Sequence, residues 1–216
     1  MMTDVNPVKS TRKQQAAATR LRIVEAATAE FVRNGYHGTS MAAIAKRAGV
    51  AVQTVYFVFH TKPELFAAAQ DAAVLGAEDR PPVDQEWARS AAADSHGPAA
   101  AIRAFIAGSG PIFERAAALS QVARAAAPTD PDLRAVWESR EELRVQGYRH
   151  FVTTLGASIP SDVDPLIAAD IMITMVSPEL YLAFRVERGW THQQTIDWMA
   201  QTVPELMLRP RFSGSE

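Results

Sequence analysis

Apolar residues recur every three to four positions through the first part of the chain, which is the spacing of an amphipathic helix. The positions i, i+4 and i+8 of this pattern are Ile23, Ala27 and Phe31. They predict a helix from about Lys13 to Asn34, and Gly35 supplies its stop signal. The polar residues 1–12, which include Pro7, are expected to form a disordered tail.

The stretch from Thr39 to Leu65 has the pattern of a helix-turn-helix. Thr39 or Ser40 can cap a short helix that runs to about Ala48, and Gly49 can adopt the left-handed conformation that ends a helix. A second short helix is predicted over 52–58, with Val55 and Phe59 facing the core. A further helix begins near Lys62, and Pro63 suits its first turn.

The rest of the chain shows helical patterns and no convincing strand alternation. Helices are predicted over 99–107, 111–127, 131–155, 164–188 and 191–208, with a kink or a break at 108–111 and at Ser177-Pro178. The predicted fold class is therefore all-α. A three-helix helix-turn-helix domain occupies residues 13–66, and a larger helical domain occupies residues 67–216.

Charge is distributed unevenly between these two parts. Residues 1–66 hold nine basic and four acidic side chains, a net charge of +5, whereas the remainder carries 13 basic and 20 acidic groups, a net charge of −7. A basic region attracts the phosphate backbone of DNA. Chance clustering on a solvated surface would give the same count, and the motif inside the basic region favours DNA.

Composition and spacing argue against several other classes. The chain contains no cysteine, which excludes disulfides and thiolate metal sites. Its five histidines lack metal-site spacing, and no catalytic constellation is present, so we expect neither an enzyme, nor a metal, nor a cofactor. We find no signal peptide and no uninterrupted apolar run of about 18 residues, so a cytoplasmic protein without a membrane span is expected.

The second helix of a helix-turn-helix presents its first residues to base edges in the major groove. Gln53 can form two hydrogen bonds with adenine, and Lys62 and His60 lie where backbone phosphates would be. Phe57 fits the core and the groove equally well. The candidate DNA-binding residues are Thr39, Ser40, Ala51, Val52, Gln53, Thr54, Tyr56, Phe57, His60 and Lys62.

These residues resemble the DNA-binding region of TetR-type transcriptional regulators over about residues 20–66. The matching elements include Gly35, the Thr39-Ser40 pair, Ala48-Gly49-Val50, Thr54-Val55-Tyr56, Phe59, Lys62 and Leu65. Two positions depart from the pattern: Ala51 replaces a capping serine, and Phe57-Val58 is unusually apolar. A weaker similarity runs from Ser177 to Trp198.

The resemblance implies a helical C-terminal domain that binds a ligand and forms dimers. Bulky side chains of the central helices either fill the core or line an apolar ligand pocket. The pocket predicted from them and one arginine comprises Phe105, Phe113, Trp137, Arg144, Tyr148, Met172, Met175 and Tyr181. Arg140 or Arg144 would favour an anionic ligand if either faced the pocket. The last two helices, with an apolar stripe that includes Ile196, Trp198 and Met199, are expected to form the dimer interface.

The resulting hypothesis is a dimeric, ligand-responsive regulator, and a repressor is favoured. It would bind a palindromic DNA operator and be released by a small-molecule effector with substantial apolar surface. The alternative is a helical small-molecule binding protein whose DNA recognition has weakened, which Ala51 and Phe57-Val58 favour.

Overall fold

A computed structural model describes residues 7–76, 81–93 and 96–209, with side chains from residue 12 onward and without that of Val83. Regular structure in these residues is helical. The helices are α1 (Pro7–Gly38), α2 (Met41–Ala48), α3 (Val52–Phe59), α4 (Lys62–Leu75), α5 (Glu86–Ala92), α6 (Pro98–Ala126), α7 (Pro131–Leu155), α8 (Pro165–Met175), α9 (Pro178–Leu182) and α10 (His192–Leu208). Short 3₁₀ turns cover Pro82–Asp84 and Gly156–Ser158, and a π-helical turn, Ala183–Glu187, extends α9.

Helix α1 begins earlier than the sequence pattern indicates. The predicted disordered tail over residues 1–12 is wrong from Pro7 onward, and residues 1–6 lie outside the described residues. Proline suits a first helical turn, and the lysines, glutamines and alanines that follow have high helix propensity. The predicted stop at Gly35 is confirmed, because this residue has φ 69° and ψ 175° and kinks the chain before a last turn to Gly38.

One hydrophobic core joins the first four helices to the body of the protein. Ile23, Phe31, Ile44, Val55 and Phe66 are among its buried members. The body also contributes side chains to this core, namely Ala116, Leu119, Ala123 and Ala126 of α6 and Leu133 of α7. The domain boundary expected after residue 66 falls inside α4, which continues to Leu75.

Helix α6 is continuous, so of the two alternatives predicted at 108–111, a kink or a break, the break is wrong. It runs from Pro98 to Ala126 with Pro111 inside it. The glycines serve packing instead: a Cβ on Gly108 would lie 2.3 Å from the Trp87 ring, so the two can approach only because Gly108 has no side chain. Gly110 faces His192 and Ile196 of α10, where a Cβ would lie at an ordinary contact distance of 3.4 Å. A glycine in a helix therefore marks here a close helix contact.

The break between α8 and α9 confirms the kink or break expected at Ser177-Pro178. The Ser177 side chain accepts a hydrogen bond from the Leu180 amide and caps α9. Across the break, the segment Pro165–Glu187 is long enough to span a membrane and contains an 18-residue stretch with a mean hydropathy of 1.5. The search for an uninterrupted apolar run missed this segment. Core helices pass the same test, and Ala168, Ala169 and Met172 are buried in the body.

Helix α10 has the predicted cap and end, but its apolar stripe is used differently from the prediction. Thr191 and Gln194 form a reciprocal capping box at its start. Ile196, Met199 and Val203 are buried within the same chain, so this stripe is not the free dimer surface that the pattern predicted. The short helix α5 was not predicted, because seven residues between two breaks give too little periodicity to recognise.

Candidate nucleic-acid interface

Helices α2 and α3 meet at the angle of a helix-turn-helix. Their axes are bent by 109° across the turn, within the usual range of about 90–120° for this motif. Gly49 has φ 66° and ψ 39°, the predicted left-handed conformation, and its amide donates to the carbonyls of Ala45 and Lys46. Ser40 caps α2, its hydroxyl accepting a hydrogen bond from the Ala43 amide at 3.1 Å.

One face of α3 is buried, so only residues on its other faces can reach DNA. Val55 and Phe59 are buried in the core, as predicted. Gln53 and Phe57 lie on the opposite face, where Phe57 is 83% exposed. Tyr56 is half exposed, and Thr54 is partly covered. The sequence suits Phe57 equally to the core and to the groove, and in the structure Phe57 lies on the surface.

Helix α3 starts without a side-chain cap. Ala51 has extended backbone angles and makes no side-chain hydrogen bond to the helix, as its missing hydroxyl requires. Its carbonyl accepts the Thr54 amide at 3.0 Å, which closes the first turn through the backbone alone. Ala51 is exposed and Val52 is half-buried, so the helix start forms a small apolar edge beside Gln53.

Thr39 is not an exposed DNA-binding residue. Its side chain is buried, and its hydroxyl donates to the carbonyls of Gly35 at 2.7 Å and Glu30 at 3.0 Å. It thus satisfies carbonyls left open where α1 kinks. Ser40 is exposed, as expected, with its hydroxyl already bonded to the α2 backbone.

Lys62 is likewise turned inward, which corrects its predicted role as a phosphate contact. Its ammonium donates to the carbonyls of Tyr36 at 3.0 Å and Thr39 at 3.1 Å, and lies 4.2 Å from the centre of the Tyr36 ring. Burial lowers the pKa of the Lys62 ammonium, and the charge of Asp130 partly opposes this. His60 ends α3 with φ 40° and is exposed.

Other exposed cations of α1 and α2 are absent from the predicted DNA-binding residues. The Arg20 guanidinium lies 4.3 Å from the centre of the Phe59 ring, at the end of α3. Lys46 is exposed in the last turn of α2, and Arg12 and Lys13 are exposed on α1. These cations could have been identified from the sequence, because they fall on the polar sides of α1 and α2.

Arg47 is partly neutralised and is therefore a weaker candidate for phosphate binding. Its Nε lies 2.6 Å from Oε1 of Glu30. The hydrogen bond from Arg47 lowers the pKa of the Glu30 carboxyl, partly against desolvation of that carboxyl. The pair joins α1 to α2 at the surface.

Most side chains predicted to line a ligand pocket pack against one another instead. Phe105 lies 5.9 Å from Tyr148 and 4.0 Å from Phe151 between ring centres. Phe113 stacks on Tyr181 at 5.4 Å. Together with Met172, which is fully buried, these rings fill the centre of the body.

Of the other three predicted pocket residues, Met175 packs against the same core and Arg144 lies 5.4 Å from the centre of the Tyr148 ring, whereas Trp137 lies apart from it. Trp137 packs against the core of the N-terminal helices, and Met175 is half-buried at the end of α8. Arg144 donates to both oxygens of Glu141 and to the carbonyls of Ile173 and Val176, so it holds the end of α8. Arg140 pairs with Asp71 of α4, with an N–O distance of 2.8 Å.

Comparison with known proteins agrees with this geometry. The family described as bacterial regulatory proteins, tetR family, matches residues 23–69, which cover α2, α3 and much of α1 and α4. The helix-turn-helix segment is therefore similar to the DNA-binding region of this family. An HTH-type transcriptional repressor from Streptomyces coelicolor is 39% identical over 69 residues, or 32% of this chain and 36% of the repressor. The similarity to this curated relative therefore spans about a third of its length.

Solved structures share the fold over most of the chain. NalD, the secondary repressor of the MexAB-OprM multidrug efflux pump in Pseudomonas aeruginosa, superposes with a TM-score of 0.67 at 19% identity. That match covers 91% of this chain and 99% of NalD. FadR from Bacillus subtilis, solved with stearoyl-CoA, gives a TM-score of 0.65 at 16% identity, covering 89% of this chain and 99% of FadR. At these identities the likeness establishes the fold alone.

Proposed function

We propose that this protein is a dimeric, ligand-responsive transcriptional regulator of the cytoplasm that acts as a repressor on a palindromic operator. The observation that carries the proposal is the 109° helix-turn-helix, whose second helix buries Val55 and Phe59 and turns Gln53 and Phe57 outward. A helix anchored in this way can enter the major groove, which is about 12 Å wide.

The two kinds of DNA contact are assigned to different residues. Gln53 is the polar reader of a base, preferably adenine, and Thr54 and Tyr56 flank it on the groove side. Arg20, Lys46 and the exposed cations of α1 neutralise phosphates, which sets affinity and register. Ser40 and His60 lie at the two ends of the motif, where their exposure suits backbone contacts.

We place effector binding at the seam between α4 and α7. Two atoms of side chains at this seam, Oε1 of Gln70 and Nε of Arg140, are buried without a hydrogen-bond partner among the described residues. A ligand group that both donates and accepts, such as a hydroxyl or an amide, would satisfy such atoms. The crystallised complex of FadR with stearoyl-CoA supports a small-molecule ligand for this fold.

Effector binding at α4 would be transmitted to the DNA-binding helices. Helix α4 begins at Lys62, whose ammonium contacts the carbonyls of Tyr36 and Thr39 beside the helix-turn-helix. Helix α4 also contacts α6 through the hydrogen bond from Arg115 to the Ala73 carbonyl, 2.9 Å long. An effector that binds better to the geometry unable to fit DNA would release the operator.

The proposed dimer uses the outer surface of the last helices instead of the buried stripe of α10. Leu166 of α8 and Val186 of the turn after α9 are large apolar side chains exposed by 66% and 74%. The rings of Phe184, Trp190 and Trp198 form a half-exposed cluster in the same part of the chain. Exposed apolar surface of this kind is typical of an association site.

Selection of duplexes from a random-sequence pool by the full-length protein tests the function. A palindrome with half-sites about one helical turn apart is expected, and its binding should weaken steeply with salt. A folded dimer that enriches no sequence at low salt would overturn the regulator proposal and favour the small-molecule binding alternative.

A further inference from the structure

Phe57 is the outermost side chain of α3. It follows Val55 by two residues and precedes Phe59 by two, and two helical steps of about 100° each rotate a side chain to the opposite face. Because Val55 and Phe59 are fully anchored in the core, Phe57 must point away from the protein. Its 83% exposure is the largest among the exposed large hydrophobic residues described.

The surroundings of Phe57 suit DNA better than a protein partner or a lipid surface. Gln53, one helical turn earlier on the same face, is polar and exposed. Arg20, over the Phe59 ring at the end of α3, and Lys46, exposed in the last turn of α2, are cations of the same motif that could neutralise phosphates. A phenyl ring between such groups therefore faces base edges once the helix is docked.

A phenyl ring offers neither a hydrogen-bond donor nor an acceptor to those edges. The one apolar group that unmodified B-DNA displays in the major groove is the C5-methyl group of thymine. Contact between ring and methyl removes apolar surface of both partners from water, whereas contact with other base edges would desolvate polar atoms without replacing their bonds.

We propose that Phe57 selects thymine by contact with its C5-methyl group, so that each half-site carries a thymine within about two base pairs of the base read by Gln53. The spacing follows from the rise of about 6 Å over four helical residues and about 3.4 Å per base. This inference rests on the proposed function and specifies the base chemistry of the same site.

The test replaces single thymines by deoxyuracil in the duplex recovered by selection. This change deletes only the C5-methyl group and leaves pairing intact. Burial of one such group is worth a factor of about four in affinity, so a substitution in both half-sites should weaken the wild-type dimer about 15-fold. Deoxyuracil outside the half-sites is the matched DNA control.

The protein arm of the test uses Phe57→Ala and Phe57→Leu. Alanine is a better helix former than phenylalanine and the site is exposed, so both variants should fold as judged by circular dichroism and Tm. Phe57→Ala should bind thymine and deoxyuracil duplexes equally, whereas Phe57→Leu should keep part of the discrimination. 5-Methylcytosine with its guanine partner, placed at the sensitive position, should restore part of the wild-type affinity relative to unmethylated cytosine.

Each other outcome overturns a different statement. The ring does not read the methyl group if no thymine-to-deoxyuracil change weakens binding, or if Phe57→Ala loses as much affinity as the wild type on deoxyuracil duplexes. Either result would leave the protein a DNA-binding regulator. A kinked duplex without methyl dependence would identify Phe57 as a wedge between bases and also contradict the inference. Failure to enrich any duplex would remove the proposed function and the inference together.

Discussion

At Lys62, one ammonium group holds two backbone carbonyls and covers an aromatic ring. These contacts tie the start of α4 to the turn between α1 and α2. Lysine at this place therefore stabilises the arrangement that positions α3, and we expect it to affect DNA binding through that arrangement.

Lys62→Met should lower the free energy of unfolding by about 1–3 kcal/mol, because two buried carbonyls lose a charged donor. The salt dependence of operator binding should keep its slope, measured as log K against log salt concentration. Lys46→Met is the matched control, since exposed Lys46 should leave Tm unchanged and reduce the slope by about one. A smaller slope for Lys62→Met than for the wild type would instead show that Lys62 contacts a phosphate.

At the residue scale, the sequence predicts where apolar side chains lie but not where some polar side chains lie. Ile23, Val55 and Phe59 have one favourable location, the core, so periodicity places them correctly. Thr39 and Lys62 can bond either to solvent and DNA or to nearby carbonyls. That choice depends on a kink at Gly35, whose open carbonyls no linear pattern reveals.

At the scale of helices, α6 shows how two glycines can have different roles within one turn. A Cβ at Gly108 would meet the Trp87 ring at 2.3 Å, whereas a Cβ at Gly110 would meet His192 and Ile196 at 3.4 Å, an ordinary contact distance.

Gly108→Ala is therefore expected to destabilise the protein by about 1–3 kcal/mol, because α5 must move away from α6. Gly110→Ala in the same helix should be neutral or gain up to about 1 kcal/mol from higher helix propensity. Urea denaturation of the two variants against wild type measures the difference. Equal effects of both substitutions would show that the ring of Trp87 moves aside without cost.

Helix limits were predictable where a capping side chain or a proline marks them. Asp130, Ser177 and Thr191 each accept a backbone amide at the start of the predicted helix. The break predicted in α6 was wrong because glycine and proline there are compensated by packing against α5 and α10. Such compensation comes from residues distant in sequence.

For the whole molecule, the decisive test concerns the surface on which two copies would meet. Val186→Glu places a charge on the exposed apolar surface proposed for the dimer, and its side chain contributes little to the monomer core.

The variant should remain folded, but light scattering should give the monomer mass of 23.5 kDa where the wild type gives twice that mass. Its affinity for the operator should fall strongly. Leu143→Glu, at an exposed leucine of α7, should leave mass and affinity unchanged. A Val186→Glu protein that stays dimeric would locate the interface elsewhere.

The all-α class and the helix-turn-helix could be predicted at this scale, but the interior of the body could not. Phe105, Tyr148 and Phe151 share a stacked cluster that periodicity does not distinguish from a pocket lining. Whether bulky side chains surround a space or fill it depends on their rotamers, which sequence spacing does not determine.

The core shared between the N-terminal helices and the end of α6 limits how this protein can be divided. A fragment ending after α4 would leave Phe31, Phe66 and their neighbours without Leu119, Ala123 and Leu133. In a chimaera, the DNA-reading helices would therefore have to be transplanted together with the last turns of α6 and the start of α7. Exchange of operator specificity between relatives is accordingly easier by changing α3 residues than by recombining whole domains.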